Sequence, residues 1–164
     1  MDLISHFIEN YKKKISFYET AGRIAASLLE DALQSAGIRA MVTSRAKNPA
    51  RLKSKVIRRN SRRDLPYKNM KEIYDDIVDL AGVRISLYFP GDRDKANALV
   101  SDLFNILERK QFPEQSKPPT YNKRFSGYWA NHYRVTIKEE LLNSNQKKYA
   151  SARIEIQIAS VLMH

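Results

Sequence analysis

Two short stretches, far apart in the chain, carry the same alternation, and they constrain the fold more than anything else in it. In Val83-Arg84-Ile85-Ser86-Leu87-Tyr88-Phe89, the residues Val83, Ile85, Leu87 and Phe89 face one way and Arg84, Ser86 and Tyr88 the other. Near the end of the chain Ile154, Ile156 and Ile158 point one way, while Arg153, Glu155 and Gln157 point the other. Each pattern is that of a half-buried strand with a polar working face. Paired in one sheet, the two strands would bring Asp79, directly before the first, and Glu155 together above that face. Two carboxylates flanked by arginines suit a divalent cation and a phosphate-rich substrate.

The rest of the chain supplies supports for such a sheet. With 164 residues and 43% hydrophobic content, it is expected to form one compact domain with a proper core. Leu3, Phe7, Ile8, Tyr11, Ile15 and Tyr18 recur at helical spacing, so residues 3 to 36 read as one long helix or two consecutive ones covering the sheet, stopped at Gly37. Ile38 to Thr43 fits a short strand. From Arg45 to Arg63 the chain then carries arginines and lysines without one acidic residue. Within this run Asn48-Pro49 marks a helix start, because Asn caps free amides and Pro suits the first turn. A helix N-terminus beside Arg45, Lys47, Lys53 and Lys55 makes an anion site for a polyphosphate; the bland alternative is a solvated basic face. The net charge of +11 likewise favours a polyanionic partner, though charge alone does not choose among nucleotide, nucleic acid and acidic membrane.

Farther on, 62 to 68 read as a loop around Pro66, Asn69 to Glu72 has capping-box spacing, and Met70, Ile73, Tyr74 and Ile77 form the stripe of a helix that delivers the chain to Asp79. After a turn at Pro90-Gly91-Asp92, a second amphipathic helix is expected, its buried stripe running from Ala96 through Leu103 and Phe104 to Leu107. Residues 111 to 126 read as a proline-rich loop, His132 to Lys138 as another strand with one polar face, and 141 to 151 as a polar connection. Without cysteine the chain has neither disulfides nor thiolate metal sites, and its redox compartment does not follow from bridges. No apolar run is long enough to cross a bilayer and Met1 opens no secretory pattern, so a soluble cytoplasmic protein is expected.

Four motifs, in order and spacing, resemble the synthetase domain of the RelA/SpoT family, enzymes that make guanosine tetra- and pentaphosphate alarmones. Arg45-Ala-Lys47-Asn-Pro-Ala-Arg51-Leu-Lys53-Ser-Lys55 is similar to the family's ATP segment, with Asn48 and Arg51 in place of serines. Asp79-Leu-Ala-Gly-Val-Arg84 resembles its Asp-x-x-Gly-x-Arg magnesium motif, and Ser126-Gly127-Tyr128-Trp-Ala-Asn-His132 its guanine-nucleotide motif, with Ala130 in place of a serine. Glu155-Ile-Gln157-Ile resembles the strand with the second catalytic carboxylate, although Ala159-Ser160 stands where the family has Arg-Thr.

The resemblance implies an α/β (α+β) fold: a nucleotidyltransferase-like mixed β-sheet flanked by helices, with an N-terminal helical cover over 1–37 and the synthetase domain over 38–164. The chain stops at His164, short of the tryptophan and acidic residues with which the family usually continues, so a C-terminally truncated or reduced domain is expected. The hydrolase half of bifunctional relatives needs a His-Asp dipeptide, and none exists in this sequence. The implied reaction is pyrophosphate transfer from ATP to the 3′-hydroxyl of GDP or GTP, releasing AMP. Asp79 and Glu155 would hold Mg2+ and, with Gln157, form the catalytic set; Arg45, Lys47, Lys53, Lys55 and Arg84 would bind ATP; Arg124, Tyr128 and His132 would bind the acceptor nucleotide. Arg93 would lie on the adenine, opposite Arg45. Two other readings stay open: a relative that pyrophosphorylates the 3′ end of tRNA, and a noncatalytic module that binds nucleotide or RNA. A nucleic-acid partner is thus allowed but not required, and no membrane partner is expected.

Overall fold

The computed structural model describes residues 2–112 and 129–161. Its longest element is α1 (Leu3–Ser35), which begins where the Asp2 carboxylate accepts from the Ser5 amide at 2.7 Å. It ends at Gly37, whose φ of +72° is the left-handed cap that the sequence predicts there. Gly37 N donates to the Gln34 carbonyl and Ile38 N to the Leu33 carbonyl, and the buried Leu33 and Ile38 belong to one cluster. Small residues, Ala21, Gly22, Ala25 and Ala26, form the part of α1 that lies on the sheet. Gly22 brings the helix so close that a Cβ there would sit 3.7 Å from Ser44 Cβ and 3.8 Å from the Gly82 carbonyl.

The sheet has five strands: β1 (Ala40–Ala46), β2 (Ala81–Leu87), β3 (Phe104–Phe112), β4 (Ala130–Ile137) and β5 (Ile154–Ser160), in the order β1-β2-β5-β4-β3. Only β2 and β5 run parallel; the other pairings are antiparallel. The two strands that the sequence singles out are therefore neighbours, with Gly82 opposite Glu155 and Arg84 opposite Gln157. On the opposite face, Val83, Ile85, Leu87, Ile154, Ile156 and Ile158 are buried against α1 and against α4 (Arg93–Leu103). Each such side chain contributes about 1.5–3 kcal/mol through burial, which fixes the register, since a one-residue slip would turn all of them outward.

A second cluster packs beside the sheet. Phe7, Ile8 and Tyr11 of α1 meet Leu52 and Val56 of α2 (Pro49–Arg62) and Ile73 of α3 (Met70–Asp76). Asn48 caps α2 as its sequence predicts, accepting from the amides of Ala50 and Arg51 at 2.9 and 3.2 Å. Asn69 caps α3, and Glu72 reaches back to the Lys68 amide at 2.8 Å. The loop before α3 is tied down by Tyr67, whose hydroxyl donates to Asp76 and whose amide donates to Asn60 Oδ1.

The sequence reading needs correction in two places. Phe89, expected on the buried face of the first strand, lies beyond the end of β2 at Leu87 and is 55% exposed. The apolar stripe expected to continue as helix to Leu107 stops at Leu103, and β3 begins at the next residue. Pairing of β3 with β4 overrides the helical spacing, and a bulge between Ile106 and Glu108 breaks the alternation that would have announced a strand. In β1, strand structure extends past Thr43 through Arg45 to Ala46. Among the described residues no helix is long and apolar enough to cross a membrane.

Candidate active site

The register lays the polar face out as rows. One runs Thr43, Arg84, Gln157, His132, Lys110 across all five strands. The next runs Arg45, Gly82, Glu155, Arg134, Glu108. Because Gly82 has no side chain, a hollow opens between Arg45 and Glu155 in the second row. A cavity of about 180 Å³ lies there, lined by Arg45, Lys47, Asp79, Arg84, Glu155 and Gln157, with Thr43, Ser44 and Gly82 completing the wall. Asp79 and Glu155 thus border one space, as the alternation of the sequence suggests.

Asp79 follows α3 in the short segment that feeds β2, and both of its oxygens are engaged by cations. Lys47 Nζ lies 2.8 Å from Oδ2, and Lys55 Nζ lies 2.7 Å from Oδ1. Burial would raise the Asp79 carboxyl, but the bonds and charges of the two lysines outweigh it and hold it below the ordinary value of 3.8. Lys47 is fixed from two sides: its amide donates to the Leu80 carbonyl at 2.9 Å, and its carbonyl accepts from the Tyr11 hydroxyl at 2.6 Å. Lys55 arrives from the second turn of α2.

Glu155 is held differently. Gln157 Nε2 donates to its Oε1 at 2.6 Å, and His132 Nδ1 stands 3.5 Å from the same oxygen. Gln157 in turn accepts from Arg84 at 3.4 Å through Oε1. Burial lowers the His132 pKa below 6.5, and Lys110 and Arg84 push the same way against Glu155, so the imidazole is neutral at pH 7.

The structure therefore gathers Asp79, Glu155, Gln157, Arg45, Lys47, Lys55, Arg84 and His132 on or beside one face. Lys53 is not brought there: it lines a separate hollow with Asn48 and with Ser5 and Ile8 of α1. Arg124 and Tyr128 lie outside the described residues. Arg93 does not approach Arg45; its guanidinium lies 4.6 Å from the Trp129 ring and contacts Asn131 on the α4 side. Two cations without an assigned role join the face. Lys110 stands opposite His132, and Arg134 stands beside Glu155, its buried Nε without a hydrogen-bond partner among the described residues. Lys110 escapes a sequence reading because β3 itself does. Arg134 was visible in the alternation of β4, but nothing local ties it to Glu155.

The donor set suits a magnesium ion. Two carboxylates are few for a cage made of protein alone, but magnesium keeps waters and phosphate oxygens as its remaining ligands. Among the described residues there is no cluster of three or more His, Cys, Asp or Glu side chains, so a cation here would rest on these two carboxylates and on oxygens from outside the protein. Asp79 already holds positive charge on both oxygens, the electrostatic demand that a cation would meet.

Helices on one face of a mixed sheet, with carboxylates and cations gathered on the other, define an α/β domain with a charged polar face. The chain belongs to the RelA/SpoT family: the model described as the region found in RelA / SpoT proteins matches residues 44–164. Among solved structures, it is similar to a GTP pyrophosphokinase family protein from Streptococcus pneumoniae, at 20% identity and a TM-score of 0.65 over 94% of this chain and 71% of that one. It is also similar to small alarmone synthetase 1 from Bacillus subtilis bound to its product pppGpp, at 20% identity and a TM-score of 0.63 over 94% and 76%. The mixed sheet with flanking helices and an N-terminal helical cover, expected from the sequence, is the fold that these structures share. No curated protein matches the chain.

Proposed function

We propose that this domain transfers pyrophosphate from ATP to the 3′-hydroxyl of GDP or GTP, with release of AMP. The observation that carries the reading is the single cavity bordered by both carboxylates, Asp79 and Glu155, and by Arg45, Lys47, Arg84 and Gln157. Membership of the RelA/SpoT family and the pppGpp bound to the Bacillus subtilis relative support it.

In this reading Asp79 and Glu155 would hold Mg2+, which would neutralise phosphate charge. Lys47 and Lys55 leave Asp79 for the phosphates of ATP, and Arg84 joins them from β2. Arg45, exposed at the end of β1, stacks its guanidinium on the adenine. Glu155 accepts the proton of the attacking 3′-hydroxyl, Gln157 orients that carboxylate, and neutral His132 contacts the acceptor. The acceptor oxygen bonds to the β-phosphorus as the bond to the α-phosphate oxygen breaks, so AMP carries away the released charge. Arg124 and Tyr128 keep the acceptor roles that the motif resemblance gives them.

The test is incubation of the protein with Mg2+ and γ-labelled ATP, separately with GDP, GTP or tRNA, followed by chromatography. Label on the guanine nucleotide with stoichiometric AMP is the expected result. Label on tRNA alone, or no transfer to any acceptor, overturns the proposal.

A further inference from the structure

The segments that carry the two carboxylates border a second concave feature besides the candidate active site. A cavity of about 520 Å³ opens on their other side, between α1, the end of α3 and the starts of β2 and β5. The chain alternates between the two spaces. Ile77, Val78 and Leu80 line this second cavity, whereas Asp79 lines the first; Ala152 and Arg153 line the second, whereas Glu155 and Gln157 line the first.

Its walls combine two chemistries. Phe17, Tyr18 and Tyr74 present aromatic surface. Phe17 is fixed by stacking on Tyr149, at 5.3 Å and 28°, and by edge contact with Tyr18 at 5.3 Å. The rim is cationic: Lys13, Lys14 and Arg153 line it, and none of its lining residues is acidic. Neither Lys13 nor Lys14 has an ion-pair partner among the described residues; Lys14 Nζ lies over the Tyr74 ring at 5.4 Å. The nearby Asp75 is already engaged by Lys71 and Arg153, at 2.8 and 3.3 Å. Arg153 and Tyr18 line the same cavity.

We infer that this cavity is a second ligand site, for a nucleoside phosphate whose base lies against Tyr18 and Tyr74 and whose phosphate meets Lys13, Lys14 and Arg153. The volume falls in the range of small-molecule sites, about 300–1,000 Å³. Aromatic side chains take any base by its π-face, at about 1–3 kcal/mol per stacked base, and the cations select for the attached phosphate. An uncharged aromatic ligand would leave the lysines unused, and inorganic phosphate would leave the rings unused. A ligand here bears on Ile77, Val78 and Leu80 and so on the position of Asp79 between them. That consequence alone rests on the proposed function; the site does not.

The test is binding of guanosine 5′-monophosphate, without ATP or metal, followed by calorimetry. Three proteins are compared: the unaltered chain, the rim variant Lys13→Glu/Lys14→Glu, and the polar-face variant Arg84→Ala/His132→Ala. Both rim lysines are exposed, so that variant should fold, which its melting curve checks. Binding weakened about tenfold or more by the rim variant and kept within about twofold by the polar-face variant is expected. Binding lost in the polar-face variant, binding indifferent to the rim variant, or no binding to the unaltered chain overturns the inference. Transfer activity enters none of these outcomes, so failure here and failure of the proposed function are separately visible.

Discussion

Asp79→Asn separates the structural from the chemical role of the carboxylate, because the two roles predict opposite effects on anions. The Asp79 side chain is 22% exposed, and its partners Lys47 and Lys55 are 19% and 17% exposed. Ion pairs at full exposure are worth about 0–1 kcal/mol, and breaking fully buried ones costs about 3–5. Screening at about one-fifth exposure places this pair of bridges between those limits. The amide still accepts from one lysine through Oδ1, so a loss of about 1–2 kcal/mol follows. At this chain length, that corresponds to a melting temperature lower by about 2–8 °C. The pH dependence has a definite sign. The folded-state pKa of Asp79 is depressed, so its stabilisation is present above 3.8 and is lost as pH falls through the folded value. The gap between the two proteins should therefore hold from pH 7 to near 4 and close below that. At the same time the variant frees Lys47 and Lys55, so metal-free ATP should bind it at least as tightly as it binds the unaltered protein. Transfer, which needs the carboxylate, should fall at least about a thousandfold. Melting curves across pH, calorimetry in chelator and the labelled-ATP assay read the three effects. A variant that melts unchanged, or that binds metal-free ATP more weakly, would refute the lysine-exchange reasoning; near-normal transfer would remove Asp79 from the chemistry.

Gly82→Ala should fold and keep most activity, since a Cβ there meets nothing closer than the Arg45 and Glu155 carbonyls at 3.9 Å; Gly82→Leu should fill the hollow and lower transfer about a hundredfold or more, with melting curves showing that the fold survives. His132→Asn should flatten the loss of stability below pH 6.5: burial depresses the folded-state pKa, so the unfolded chain binds more protons there and acid favours it, as denaturant titrations at pH 5 and 7 would register. Tyr11→Phe removes the 2.6 Å bond to the Lys47 carbonyl, so stability should fall by about 1 kcal/mol in urea, and the ATP Michaelis constant should rise several-fold while that for the acceptor stays put.

What the sequence discloses follows from how local each cause is. Asn48, Asn69 and Gly37 act on amides and carbonyls a few residues away, and each does in the structure what its neighbours imply. The alternation of β2 and β5 is legible because one face of each is buried. β3 is an edge strand, mostly exposed and bulged near Leu107, so no burial pattern records it, and Lys110 is hidden with it. The basic run shows the limit most clearly. As a string, its cations look equivalent, and counting them overstates the phosphate site. The helical period then assigns them. With Leu52 and Val56 buried, Lys55 is turned to Asp79, Lys53 is turned toward α1, and Arg51 and Arg58 border a hollow with Lys47. Arg59 is used by Asp76, at 3.3 Å, and Arg63 lies over Tyr67 and near Glu72. Part of the run therefore holds α3 to α2, and because α3 leads directly into the segment bearing Asp79, those structural arginines set where the carboxylate stands before any phosphate arrives.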